Sequence, residues 1–125
     1  MTSAGSLILA AHGSSRSSVP SDIALMLARR IASETAIKQV EAAFIDQAPQ
    51  LAHGINHDPD AVCLPYFAAS GGHVTDDIPQ ALAEAGFQGR LLPALGLSPE
   101  IPAIIARAIL AGTPVCATNC RWQKL

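Results

Sequence analysis

Short unbroken apolar runs alternate along this chain with segments whose apolar residues recur every three or four positions. Ser6-Leu7-Ile8-Leu9-Ala10-Ala11 is the first such run, and it stops at His12-Gly13-Ser14-Ser15. A run this short, with no polar alternation, predicts a strand buried on both faces. Ile23, Met26, Leu27 and Ile31 then recur at helical spacing and predict an amphipathic helix from about residue 20 to 34, with those four side chains inward. Val40 to Ile45 predicts a second strand ending at Asp46-Gln47, after which Pro49 can open a short helix running to about Asn56. Ala61 to Tyr66 reads as a third strand, followed by the long glycine-rich loop Phe67-Ala68-Ala69-Ser70-Gly71-Gly72-His73.

Thr75-Asp76-Asp77 offers a cap and two carboxylates to the positive end of the next helix. Ile78, Ala81, Leu82 and Ala85 supply that helix with its apolar stripe, and Gly86 ends it. Arg90-Leu91-Leu92-Pro93 predicts a brief fourth strand. Ser98-Pro99-Glu100 has the form of a helix start, and Ile101, Ile104, Ile105, Ala108 and Ile109 are expected to form that helix's buried face, with Gly112-Thr113-Pro114 stopping it. The residues after Pro114 read as a further strand or a loose end. Strands alternating with helices at this spacing imply right-handed βαβ units. The expected fold is therefore α/β: a small doubly wound parallel sheet of four or five strands flanked by helices, with residues 1–125 forming one domain.

Composition narrows the function classes. Half the residues are apolar and 14% are charged, which excludes a disordered tail or a coiled coil. A formal net charge of −2 removes the electrostatic case for nucleic acid as a partner. No stretch approaches the roughly 18 apolar residues that span a bilayer, so no membrane partner is expected. Met1-Thr2-Ser3-Ala4-Gly5 carries no basic residue, unlike a secretory leader. The three cysteines are an odd number, and Cys116 and Cys120 are spaced C-x₃-C rather than the C-x₂-C of zinc ribbons. They suit free thiols in a reducing compartment, and the expected location is cytoplasmic. Cys63, inside an apolar run, is expected in the core.

In an open parallel sheet, ligands bind beyond the carboxyl ends of the strands. His12 follows the first strand directly, Asp46 follows the second, and His73 lies in the loop after the third. With the common strand order 2-1-3-4, strands one and three are neighbours, and His12 and His73 face each other over the crevice. Two imidazoles plus a carboxylate suit a borderline divalent ion such as Co, Ni, Zn or Fe. His53 and His57 share a helix face at a spacing of four, but that helix runs away from this edge, and no catalytic role is expected of them. His12-Gly13-Ser14-Ser15-Arg16 lacks the lysine and glycine spacing of a phosphate loop. Its small hydroxyls and amides, with the fixed charge of Arg16, can still meet anionic groups such as carboxylates. No G-x-S-x-G elbow is present, which argues against a serine hydrolase.

These residues also carry a family resemblance. Leu7-Ile8-Leu9-Ala10-Ala11-His12-Gly13-Ser14-Ser15-Arg16 resembles the opening strand and His-Gly-Ser-Arg-type motif of the sirohydrochlorin chelatases. Pro65-Tyr66-Phe67 leading to Gly71-Gly72-His73-Val74-Thr75-Asp76-Asp77-Ile78-Pro79 is similar to their second signature, and Phe44-Ile45-Asp46-Gln47-Ala48-Pro49 to the intervening Phe-Leu-Glu…Pro segment. The likeness is greatest to the short CbiX-type cobaltochelatases and covers nearly the whole chain. It implies a chelatase-like half-domain in which His12 and His73 are catalytic and bind metal, Asp46 stands where relatives place a glutamate ligand, and Ser14, Ser15, Arg16, Gly71 and Gly72 lie against the tetrapyrrole. The implied reaction, of the lyase class, inserts Co²⁺ into sirohydrochlorin for cobalamin synthesis, with the metal as substrate and no organic cofactor. Fe²⁺ and Ni²⁺ chelation, or a non-enzymatic tetrapyrrole or metal carrier, are the alternatives. Longer relatives look like two such domains facing across a cleft, so the working unit is expected to be a homodimer.

Overall fold

Ser6–Ala11 forms β1, every residue of it buried, and the apolar Leu7-Ile8-Leu9 run places it in the middle of a parallel sheet. The computed structural model describes residues 5–53 and 58–112; His57, Cys116 and Cys120 lie outside them, as do the residues after Pro114. The remaining elements are α1 (Val19–Glu34), β2 (Val40–Phe44), β3 (Ala61–Pro65), a π-helical turn (His73–Asp77) that runs into α2 (Ile78–Ala85), β4 (Arg90–Leu91), a short 3₁₀ turn (Leu95–Leu97) and α3 (Ile101–Ala111). The sheet has the order β2-β1-β3-β4 and is parallel throughout. Both the α/β class and the strand order match the sequence reading. Four strands form among the described residues.

Register follows from the two-residue period of the strands. Leu9, Ala11, Ala42 and Phe44 point to the face covered by α1, where Ala24 and Ala28 meet them. Ile8, Ala10, Ala43 and Cys63 point to the opposite face, beneath Leu51 and the α2 residues Ile78 and Leu82. Alanine on both sides of the α1 interface lets helix and sheet approach closely. That packing moves the buried stripe of α1 to Ser21, Ala24 and Ala28, whereas Ile23 and Met26, expected inside, are exposed.

Three further expectations are corrected. No helix opens at Pro49: Gln50 bridges Phe44, the Phe44 amide donates to the Pro49 carbonyl at 2.9 Å and the Leu51 amide to the Phe44 carbonyl at 2.8 Å. Those bonds tie the segment to the end of β2, and a turn follows in which the His53 amide donates to the Gln50 carbonyl at 3.0 Å, with Leu51 buried. Thr75 does not cap the second helix, because the turn begins earlier, with Val74 and Thr75 donating their amides to the Gly71 carbonyl. α3 begins at Ile101 rather than at Pro99, and none of its residues is buried. Its expected inner face is open: Ile104 and Ile105 are exposed and Ile109 is 75% exposed, and the neighbouring Leu110 is 87% exposed. No helix among the described residues is long and apolar enough to cross a membrane.

Candidate metal centre

The carboxyl edge of β1 is pinned from both sides. The Ile45 amide donates to the Ala11 carbonyl and the Asp46 amide to the His12 carbonyl, each at 3.0 Å, so the ladder to β2 continues one residue past the strand. On the other side the Tyr66 amide donates to the Ala10 carbonyl at 2.7 Å. His12 thus leaves a backbone that is already fixed. Gly13, at φ +75°, then turns the chain in the left-handed region that side chains disfavour. Gln47 packs under this turn: a Cβ on Gly13 would come within 2.8 Å of its Cγ and Oε1. Its Oε1 accepts the Ser14 amide at 2.6 Å. Sequence reasoning passed over Gln47 because the contact joins two loops 33 residues apart.

His73 is carried to the same place by β3. Its ring lies 4.6 Å from that of His12, centroid to centroid, in an edge-to-face arrangement with 69° between the planes. The pairing read from strand order is therefore present in side-chain geometry. Phe67 backs the His73 ring at 6.3 Å. Nδ1 of His12 lies 2.9 Å from the Gly13 carbonyl oxygen, and Nδ1 of His73 lies 2.7 Å from Asp77 Oδ2.

Asp46 does not complete a three-residue set. Among the described residues no group of three or more His, Cys, Asp or Glu is placed to hold one ion. The topology accounts for this: β2 and β3 flank β1 on opposite sides, so Asp46 and His73 rise on either side of His12. What the structure does show for Asp46 is its amide donating to the His12 carbonyl at 3.0 Å. His53 lies away from the pair, lining a hollow against β2 with Leu25, Ala28 and Pro49.

Of the other expected contacts, the Ser14 hydroxyl oxygen accepts the amides of Arg16 and Ser17 at 3.1 and 3.3 Å, which leaves its O–H as a donor. Ser15, Arg16, Gly71 and Gly72 are exposed, and a Cβ built on either Gly71 or Gly72 would meet nothing within 4 Å. Beside Phe67 opens an apolar cleft of about 370 Å³ lined by Tyr66, Phe67, Ala68, Leu95, Gly96 and Ile101. Gly96 closes its wall by donating its amide to the Phe67 carbonyl at 2.9 Å. It runs so near the Ala68 carbonyl that a Cβ there would overlap it.

Comparison with known proteins places this arrangement in context. The sequence model of the CbiX family matches residues 6–111. A solved CbiX, described as the terminal enzyme for biosynthesis of siroheme in denitrifying bacteria, is 45% identical to this chain with a TM-score of 0.75. The match covers 89% of this chain and 49% of that one, so the chain spans about half the length of this solved relative. No curated protein matches.

Proposed function

This chain belongs to the CbiX family, and we propose that it is a chelatase that inserts a divalent metal ion, with Co²⁺ the first candidate, into sirohydrochlorin. The observation that carries the reading is the pair of imidazoles 4.6 Å apart at the carboxyl edge of the sheet. Two neutral nitrogen donors hold a borderline divalent ion and leave its other positions open to incoming pyrrole nitrogens. The proton balance also works. Metallation releases two pyrrole protons, and each Nε2 that gives up the metal becomes a free base able to take one. His12 and His73 thus act first as ligands and then as bases.

The apolar cleft beside Phe67 suits one face of the macrocycle. The carboxylates at the macrocycle's rim would meet Arg16, Ser15 and the open backbone at Gly71 and Gly72. In this reading Asp46 serves the centre through its backbone rather than as a ligand. Ferrous iron stands beside cobalt because the solved relative serves siroheme biosynthesis. Incubating the protein with sirohydrochlorin and Co²⁺, Fe²⁺ or Ni²⁺ in turn, and following the macrocycle's absorbance, tests the reaction and orders the metals. No acceleration with any of the three leaves a carrier rather than a catalyst.

The working unit in this proposal is a homodimer. α3 presents Ile104, Ile105, Ile109 and Leu110 to solvent, an apolar row that a second copy would cover. The solved relative, with about twice the length, has room for two such units in one chain.

A further inference from the structure

Both imidazoles at the centre have one ring nitrogen already engaged, and the partners decide which. A carbonyl oxygen and an ionised carboxylate can only accept hydrogen bonds. With Gly13 O at 2.9 Å from Nδ1 of His12 and Asp77 Oδ2 at 2.7 Å from Nδ1 of His73, each Nδ1 must carry the proton in the neutral ring. The lone pair then sits on Nε2 in both. His12 obtains this from the backbone of its own turn. His73 obtains it from a side chain, and that makes its state separately removable.

We propose that Asp77 is a positioning residue for His73, holding the ring's orientation and its Nδ1–H form so that Nε2 is the donor presented to a metal ion. The role rests on the reading of His73 as a metal ligand. His73 and Asp77 are the first and last residues of the π-helical turn, a form of turn found often at functional sites. Their side chains are about half exposed, 50% and 47%, and a pair so exposed adds little to folding. The turn's backbone is secured separately, by the amides of Val74 and Thr75 on the Gly71 carbonyl at 2.9 and 3.0 Å. The pairing therefore acts on the ring rather than on the fold. Carboxylates that hold metal-binding histidines in this manner matter to metal affinity by roughly 10- to 100-fold.

The test uses the full chain labelled with ¹⁵N at histidine. Long-range proton–nitrogen correlation on the metal-free protein, at a pH where the imidazoles are neutral, reads which nitrogen of His73 is protonated. Titration with Co²⁺ alone reads affinity. Wild type should show His73 with Nδ1 protonated. Asp77→Ala should turn that signal into a mixture of the two forms and weaken Co²⁺ binding by about 10- to 100-fold. Asp77→Asn, whose amide oxygen still accepts, should recover most of both. Asp76→Ala, which removes a carboxylate from the same turn without touching the hydrogen bond, should leave both unchanged. Asp77→Ala with His73 still held in the Nδ1–H form, or with Co²⁺ affinity unchanged despite a mixed form, overturns the proposal. The nitrogen signal is read without metal or tetrapyrrole, so a failure of the chelatase reading leaves it standing as a separate result.

Discussion

Replacing Gly13 with alanine probes the turn that presents His12. Gly13 sits at φ +75°, and forcing an alanine into that left-handed region costs about 1–2 kcal/mol. The new Cβ would also stand 2.8 Å from Gln47 Cγ and Oε1, so the glutamine must swing aside. Doing so gives up its 2.6 Å bond to the Ser14 amide, a further loss of about 0.5–1.5 kcal/mol. Together the two effects predict about 1.5–3.5 kcal/mol of destabilisation, or roughly 5–20 °C in Tm for a domain of this size. The same displacement moves the Gly13 carbonyl that holds the His12 ring, so Co²⁺ affinity should fall with stability. Thermal unfolding of Gly13→Ala, Gln47→Ala and the double variant separates the terms. The double variant should lose less than the sum of the singles, by about 1 kcal/mol, because deleting Gln47 removes the collision but not the strain. A Gly13→Ala protein melting within about 1 °C of wild type, or a strictly additive cycle, refutes this account of the turn.

Other outcomes follow from the packing and the exposed surface. Phe44, fully buried between β2 and α1, should cost about 3–5 kcal/mol when cut to alanine, read by denaturant unfolding; a loss under about 1 kcal/mol contradicts its placement. Burial raises the Cys63 thiol from 9.0 to about 12. The fold thus holds it neutral, and the corresponding stability is present below pH 9 and lost as pH rises from there towards 12. At pH 8 an alkylating reagent should leave Cys63 unmodified in native protein and label it on unfolding, as read by peptide mass spectrometry; rapid native labelling would place it at the surface. Light scattering should report twice the 12.9 kDa chain mass, and Ile105→Glu on the open face of α3 should return it to one. A monomeric wild type would exclude the dimer.

Much of this architecture is legible in the sequence because burial on both faces leaves an unambiguous mark. The runs at Leu7-Ile8-Leu9 and Ala61-Val62-Cys63 could serve only as inner strands, and the placement of His12 and His73 at one edge followed from them. The inward face of α1 was misjudged by residue size. Ile23 and Met26 are the larger apolar groups, yet Ala24 and Ala28 touch the sheet because small side chains permit the close approach. The apolar row of α3 marked burial, but the described chain offers it no partner. In the sequence, Asp77 reads as a charge favourable to a helix start. Its spacing of four from His73 was the available signal for a hydrogen-bonded pair. Gln47 left no signal at all, since its role depends on two loops meeting.

The central claim is that His12 and His73 together hold the metal that enters the tetrapyrrole. It is tested most directly by the rate of Co²⁺ insertion into sirohydrochlorin with wild type, His12→Ala, His73→Ala and His53→Ala, each shown to be folded by circular dichroism. Wild type and His53→Ala should accelerate insertion, and His12→Ala and His73→Ala should run at the protein-free background. Either of the last two retaining the wild-type rate would contradict the claim.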